Sequence, residues 1–529
     1  MIDKNYKKSV RGSFIIIGLC VVAFLVRLHF YWLIRHDPTF VMPIIDPLEF
    51  DIWGFKISQG QLLWSQATNH PPLYAYFLGI IYFFCGYSPV KAVFIQYILA
   101  SVSWFLLFKI ARHYFDALTA YVSCFLAATF WFFIYVNSFL YSENLSIFLN
   151  VLLVYILTFS KDGWKKYLSA GFIFGLTEIC RPQIAFFAVG ILVLICVKSI
   201  PLKRKLFYSF LFLVSFLILN SLVMYQNYRV SGEAVLRTQI GANIYMGNDP
   251  AFQGTNLYIK IGRDWDKFIS SPNYYYKRQV GERESNEYFM SKTRDLIYHR
   301  PLEWGKLIAA KIFSIWTGRE FLRSEDVYTY NFYFLKTPYC LVSTKLIFLL
   351  AVVGVFLSIY NRQKIWVMYA LMLTFVPMFF FPIKTRYLMG LTPFVIVFSA
   401  YAVTQFYNMY TEKRFKALGL NMFMFGVLIV LSAWNPLKLT LPDVSETFYA
   451  IGKNFDGRQN ALMAERYYTA AIQIDPQNIS AYNELGVLYM NRKNYDRAVE
   501  YFKKAISLDP EAAYPRLNLE LCQKASARL

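Results

Sequence analysis

Charge is what this sequence has least of. Only 16% of its 529 residues are Asp, Glu, Lys or Arg, against 57% hydrophobic and 19% aromatic. An ordinary water-soluble domain carries nearer a quarter charged residues, so the bulk of the chain belongs in lipid. Cysteine is also sparse. The seven, Cys20, Cys85, Cys124, Cys180, Cys196, Cys340 and Cys522, are scattered and mostly within apolar runs, which suggests neither a disulfide framework nor a zinc site. The five histidines show no metal-ligand spacing. Acids are outnumbered, 33 against 54 Lys and Arg, for a formal net charge of +21. The bases cluster in short loops between apolar runs, so the excess is topological and no nucleic-acid partner is expected. Charges near the middle of spans are few beyond Arg27 and Glu178, which argues against a transporter.

What is present is apolar length. A run of about 20 apolar residues crosses the hydrocarbon core, and such runs recur from residue 14 to residue 434. The first, SFIIIGLCVVAFLVRLHFYWLI (13–34), follows the basic head KNYKKSVR and lacks a small-residue cleavage site, so it is expected to remain as an anchor with its N-terminus cytoplasmic. Further spans are expected near 91–111, 117–136, 142–160, 167–180, 183–197, 206–226, 338–360, 364–382, 386–408 and 416–434, about eleven in all. This threading puts the most basic short loops, such as KDGWKK (161–166) and KSIPLKRK (198–205), on one side of the membrane. The stretch PPLYAYFLGIIYFFCG (71–86) would reverse every later loop if it spanned. It reads instead as a helix in the outer interface, begun by Pro71 and Pro72.

Residues 36–90 then form a first outer loop and 227–337 a second outer region, in which KLIAAKIFSIW (306–316) is a further interfacial helix. The fold class is all-α: a polytopic membrane helix bundle over 1–440, then a helical domain over 441–529. In that tail Tyr482, Leu485, Gly486, Tyr489, Ala498, Phe502, Ala505 and Pro510 recur, shifted by 34 residues, as Phe448, Ile451, Gly452, Phe455, Ala464, Tyr468, Ala471 and Pro476. This is the spacing of a tetratricopeptide repeat. Two copies are expected, about 445–478 and 479–512, with 513–527 as capping helix.

An ionisable group at a membrane boundary costs on the order of 3 kcal/mol and is a functional candidate by default. IIDPLEFDIW (44–53) brings Asp46, Glu49 and Asp51 to the first outer loop, and NHPPLYAYF (69–77) brings His70. SEN (142–144) places Glu143 at the outer entrance of a span, ICRPQ (179–183) places Arg181 at an outer hairpin, and FPIKTRYLMGLTP (381–393) places Lys384 and Arg386 at an outer span end. Arg27 lies deep in the first span and needs a polar cavity or a paired acid. Taken singly these residues leave a bland alternative open: Asp46 ahead of Pro47 begins a turn, Ser142 and Glu143 cap a helix, and the bases snorkel to headgroups. The segment GANIYMGNDPAFQGT (241–255) reads as tight turns in a folded outer loop.

Together, DPLEFDIWGFKISQGQ, NHPPLYAYFLGIIYFFCGYSP, SENLS, GLTEICRPQ, GANIYMGNDPAFQGT and KTRYLMGLTP resemble, in content and order, the polyprenyl-phosphate-sugar-dependent glycosyltransferases of the C-type superfamily. These include protein O-mannosyltransferases and lipid A aminoarabinose transferases. The resemblance covers about residues 10–410. It implies an inverting transfer of a sugar from a polyprenyl-phosphate donor to a hydroxyl acceptor, protein or glycolipid, at the extracytoplasmic face of the cell (inner) membrane. It implies Asp46 as catalytic base, and many relatives have a second acid directly after it where this chain has Pro47. Arg181, Lys384, Arg386 and Arg27 are expected to bind the donor phosphate, and Glu143, Glu49, Asp51 and His70 to orient substrate. Oligosaccharyltransferases of the superfamily use a divalent metal, so one held by Asp46 and Glu143 stays open as an alternative, but no spacing here demands it. The repeats suggest a protein partner, outside with the rest of the tail. The competing reading is a catalytically degenerate membrane scaffold that binds a partner through its repeats.

Overall fold

The computed structural model describes residues 4–36, 40, 43, 45–64, 70–182, 184–236, 240–249, 282–316, 342–374, 376, 379–381, 385–433, 444–457, 459–510 and 512–527. Among them the secondary structure is helical, apart from one isolated bridge between Phe130 and Val342. Three helices, Phe14–Ile34, Pro89–Tyr114 and Leu202–Ser231, are long and apolar enough to cross a membrane. Six others, among them Glu143–Phe159, Thr344–Tyr360 and Phe415–Leu431, are apolar but have only 10–17 residues. Among the described residues, three of the expected eleven spans are therefore met by helices with both the length and the apolarity to cross, while the expected 386–408 span corresponds to the 20-residue helix Thr392–Thr411. At 1.5 Å per residue a 17-residue helix reaches about 25 Å, short of the roughly 30 Å hydrocarbon core.

One expected span is divided, and another is described only in part. The run 117–136 divides into Ala117–Thr129 and Trp131–Asn137, because Phe130 leaves the helical conformation (φ −64°, ψ 113°) where it meets Val342. Every residue of Trp131–Asn137 is buried. The run 364–382 is helical over Trp366–Met372.

Local signals start and stop the helices as physical chemistry dictates. Ser88 accepts from the Lys91 amide at 3.3 Å ahead of Pro89, and Asp116 accepts from the Thr119 amide at 2.7 Å. The 13-residue Leu73–Cys85 helix begins after Pro72 and stops at Gly86, whose φ of 74° suits only glycine well. It packs against Ile45–Ser58. There two glycines face the partner helix: a Cβ on Gly54 would lie 2.7 Å from the Leu78 Cβ, and one on Gly79 would lie 2.5 Å from Ile57 Cγ2.

The tail folds as the repeat predicts: Val444–Gly457 with Ala461–Ile474, Ile479–Asn491 with Tyr495–Leu508, then Ala513–Ser526. The 34-residue period is visible in detail. Asn460 and Asn494 cap their helices, and Phe455–Tyr467 and Tyr489–Tyr501 stack with interplanar angles of 11° and 8°. The boundary expected at 440/441 lies outside the described residues.

Candidate active site

Asp46 sits in the first turn of the Ile45–Ser58 helix, not in a loop turn. Pro47 is tolerated there because the first helical N–H groups have no intrahelical partner. Asp46 is 3% exposed, Glu143 0%, Arg181 8% and Arg386 4%. These four charges from separate segments form a chain. Arg386 Nη2 donates to Asp46 Oδ2, Arg386 Nε lies 3.2 Å from Glu143 Oε1, and Arg181 Nη2 donates to the same Glu143 oxygen. Two carboxylates and two guanidinium groups balance, which is what allows burial. Both acids also lie in the first turn of a helix, where the dipole favours negative charge.

The surroundings hold each member. Arg181 Nε donates to Ser142 Oγ at 3.0 Å, and Asn150 Nδ2 fixes the Gly390 carbonyl, just past Arg386, at 3.0 Å. Arg386 lies over the Tyr141 ring at 5.4 Å and Arg181 over Tyr387 at 5.8 Å. His70 Nε2 is 3.6 Å from Asp46 Oδ1 and 3.5 Å from Glu49 Oε2, with its ring beside Phe50. Thus Asp46, Glu49, His70, Glu143, Arg181 and Arg386 come together.

Others do not. Asp51 faces away and accepts from the Tyr82 hydroxyl at 2.6 Å and the Tyr87 hydroxyl at 2.8 Å, which makes it a strut between two helices. Arg27 is fully buried, and its hydrogen bonds among the described residues run to Asn137 Oδ1 at 2.8 Å and to the Ala23 and Ala128 carbonyls at 2.9 and 3.2 Å. It reaches the cluster only indirectly, through Asn137 and Asn144, the neighbour of Glu143. Lys384 lies outside the described residues. The expected turns of 241–255 are instead the helix Ile240–Asn248 as far as they are described, opened by Asn286 Oδ1 accepting from the Gly241 amide at 2.7 Å.

Ser142 is in helical conformation and makes no cap hydrogen bond, so the capping alternative for SEN gives way to the contact with Arg181. Tyr141 and Tyr387 were missed by sequence reasoning, although each adjoins a motif residue. Among the described residues no group of three or more His, Cys, Asp and Glu side chains is arranged to hold a metal.

Archaeoglobus fulgidus oligosaccharyltransferase in complex with an inhibitory peptide and a dolichol-phosphate superposes with a TM-score of 0.46 at 15% identity, covering 88% of this chain and 60% of that one. The apo form of the Archaeoglobus fulgidus enzyme gives 0.44 at 14% identity, over 87% and 60%. A curated UDP-N-acetylglucosamine–peptide N-acetylglucosaminyltransferase of Giardia intestinalis is 34% identical over 77 residues, 14% of this chain and 5% of that protein. The chain therefore spans less than two thirds of each of these proteins. Residues 479–511 match the tetratricopeptide repeat family, and residues 69–225, which include His70, Glu143 and Arg181, match the dolichyl-phosphate-mannose-protein mannosyltransferase family.

Proposed function

We propose that this protein is an inverting glycosyltransferase that moves a sugar from a polyprenyl phosphate to a hydroxyl acceptor on the outer face of the membrane. The observation that carries the reading is the buried chain Asp46–Arg386–Glu143–Arg181, drawn from four distant segments at helix ends. The mannosyltransferase match over 69–225 supports the donor class.

The chemistry follows from the geometry. A sugar phosphodiester already has a good leaving group, so the enzyme must take a proton from the acceptor and hold the phosphate as charge develops on it. The acceptor oxygen bonds to the anomeric carbon, its proton passes to Asp46, and the carbon–oxygen bond to phosphate breaks with its electron pair leaving on the phosphate. Arg386 and Arg181 bind that phosphate by their paired N–H groups. His70, between Asp46 and Glu49, orients the base.

The acceptor is a protein, brought by the repeats. Asn454 of the Val444–Gly457 helix donates to the Pro43 carbonyl at 2.7 Å, just ahead of the Asp46 helix, so the first repeat touches the segment that carries the base.

The test is transfer of radiolabelled sugar from synthetic polyprenyl-phosphate mannose to secretory-pathway or periplasmic protein fractions by the purified full chain. Label appearing in protein, and lost in Arg386→Gln, is expected. A chain that transfers from none of a panel of polyprenyl-phosphate sugars, yet still captures a partner through residues 444–527, overturns the reading in favour of a scaffold.

A further inference from the structure

The polar groups of the second outer region converge on one short stretch. Phe379, Phe380 and Phe381 present three successive carbonyls outside any helix, and all three are captured by side chains. Lys311 Nζ donates to the Phe379 carbonyl at 2.7 Å and to the Phe381 carbonyl at 3.1 Å, and Asn248 Nδ2 donates to the Phe380 carbonyl between them at 2.8 Å. Trp304 completes the set. Its Nε1 donates to Asn248 Oδ1 at 2.8 Å, and its ring lies 5.9 Å from that of Phe380. Asn248 and Lys311 are both fully buried. The captured stretch ends four positions before the Thr385–Leu388 helix, which carries Arg386.

We propose that Asn248, Trp304 and Lys311 are a latch by which the second outer region sets the position of Arg386, and so are positioning residues for donor-phosphate binding. The proposal rests on the functional reading above. Buried lysine is costly, so its place at this depth depends on the partners it finds there. The two donated hydrogen bonds give it a purpose: a carbonyl left unpaired at this depth is costly too. Burial pushes the Lys311 amine down to about 7, so near neutral pH it offers two N–H groups to two carbonyls in a large fraction of molecules. Asn248 also donates to its own Ile244 carbonyl at 2.8 Å, which ties the latch to the body of its helix.

The experiment uses the full chain in detergent with a short-chain polyprenyl phosphate as probe, binding being read by calorimetry. Lys311→Met keeps the side-chain volume, Trp304→Phe keeps the ring, and Asn248→Asp keeps the acceptor while losing the donor. Each is expected to weaken binding by about tenfold, the worth of roughly one buried hydrogen bond. Lys311→Met combined with Arg386→Gln is expected to bind no more weakly than Arg386→Gln alone, because the latch acts only through Arg386. Additive losses in that double variant, or unchanged affinity in Lys311→Met, overturn the latch. Amide exchange at Thr385–Leu388 decides it independently of function. It is expected to rise in Lys311→Met, and wild-type exchange there refutes the proposal even if the wild-type chain binds no polyprenyl phosphate, an outcome that sinks the functional reading instead.

Discussion

Replacing Asp46 by Asn removes one charge from a buried set that is neutral as it stands. Arg386 keeps Glu143 as a partner, but Glu143 is then shared between two guanidinium groups, Arg386 and Arg181. Removing one partner of a buried pair costs about 3–5 kcal/mol, and the retained contact puts Asp46→Asn at the low end, about 3 kcal/mol. Arg386→Gln is worse. It takes the guanidinium away from Asp46, beside which His70 lies at 3.6 Å, and leaves Glu143 to Arg181, so its cost lies near 5 kcal/mol. In the double variant no charge is stranded, because Glu143 and Arg181 still balance. With a coupling of up to about 3 kcal/mol between contacting residues, the double variant is expected near 5 kcal/mol, well short of the sum of the singles.

Activity separates from stability in this cycle. Loss of a general base costs about 10²–10⁴ in rate. Asp46→Asn and the double variant should therefore both be inactive, although the double is no less stable than Arg386→Gln. Thermal inactivation of the detergent-purified protein gives the order of stabilities, and sugar transfer gives the rates. Transfer within tenfold of wild type by Asp46→Asn would refute Asp46 as base, and additive stability losses would refute the ion pair.

Two further outcomes concern the tail. A Cβ on Gly486 would lie 2.5 Å from the Phe502 ring, so Gly486→Ala is expected to loosen the second repeat by about 1–3 kcal/mol. Faster proteolysis within 479–508 of the full chain, restored by adding Phe502→Leu, checks this. Glu465 gives a pH dependence: burial pushes its carboxyl up, but the Tyr489 hydroxyl and Arg492 guanidinium outweigh that and hold it below its ordinary value of 4.5. A depressed carboxyl contributes its stability above the unfolded value and loses it as pH falls through the folded one. Proteolytic resistance of the tail should thus fall on acidification below about 4.5, and less steeply in Glu465→Gln.

Much of this was legible because the signals are local. Apolar run length marks most helices, and the 34-residue shift marks the repeats down to the facing of Gly486 and Phe502. The convergence of Asp46, Glu143, Arg181 and Arg386 could be expected from the helix ends that the charge pattern assigns to one side, but not their pairing. Arg386 meets Asp46 across 340 positions of sequence, and such a contact leaves no periodic trace. The same holds for Phe130, which no proline or glycine marks as a break, and for Asn248, whose amide leaves a turn-like sequence to bond a carbonyl 132 residues away. Asp51 shows the converse error. Its spacing matched Asp46 in chemistry, yet five positions along a helix point it to a different face, where Tyr82 and Tyr87 claim it.

The pairing of Asp46, the proposed base, with Arg386, the proposed phosphate clamp, also bears on the order of events in the proposed reaction. Before the donor arrives, Arg386 is occupied by Asp46 and Glu143. The donor phosphodiester carries one negative charge, and transfer leaves a phosphate monoester that carries up to two. Over the same step Asp46 gains the acceptor's proton and loses its own charge. Arg386 is then handed from the carboxylate that no longer needs it to the phosphate that now does, and the charge in the buried site hardly changes. A low-dielectric site cannot supply a new counter-ion at the moment of reaction, so keeping the base and the leaving group on one guanidinium removes most of the reorganisation that the developing charge would otherwise require.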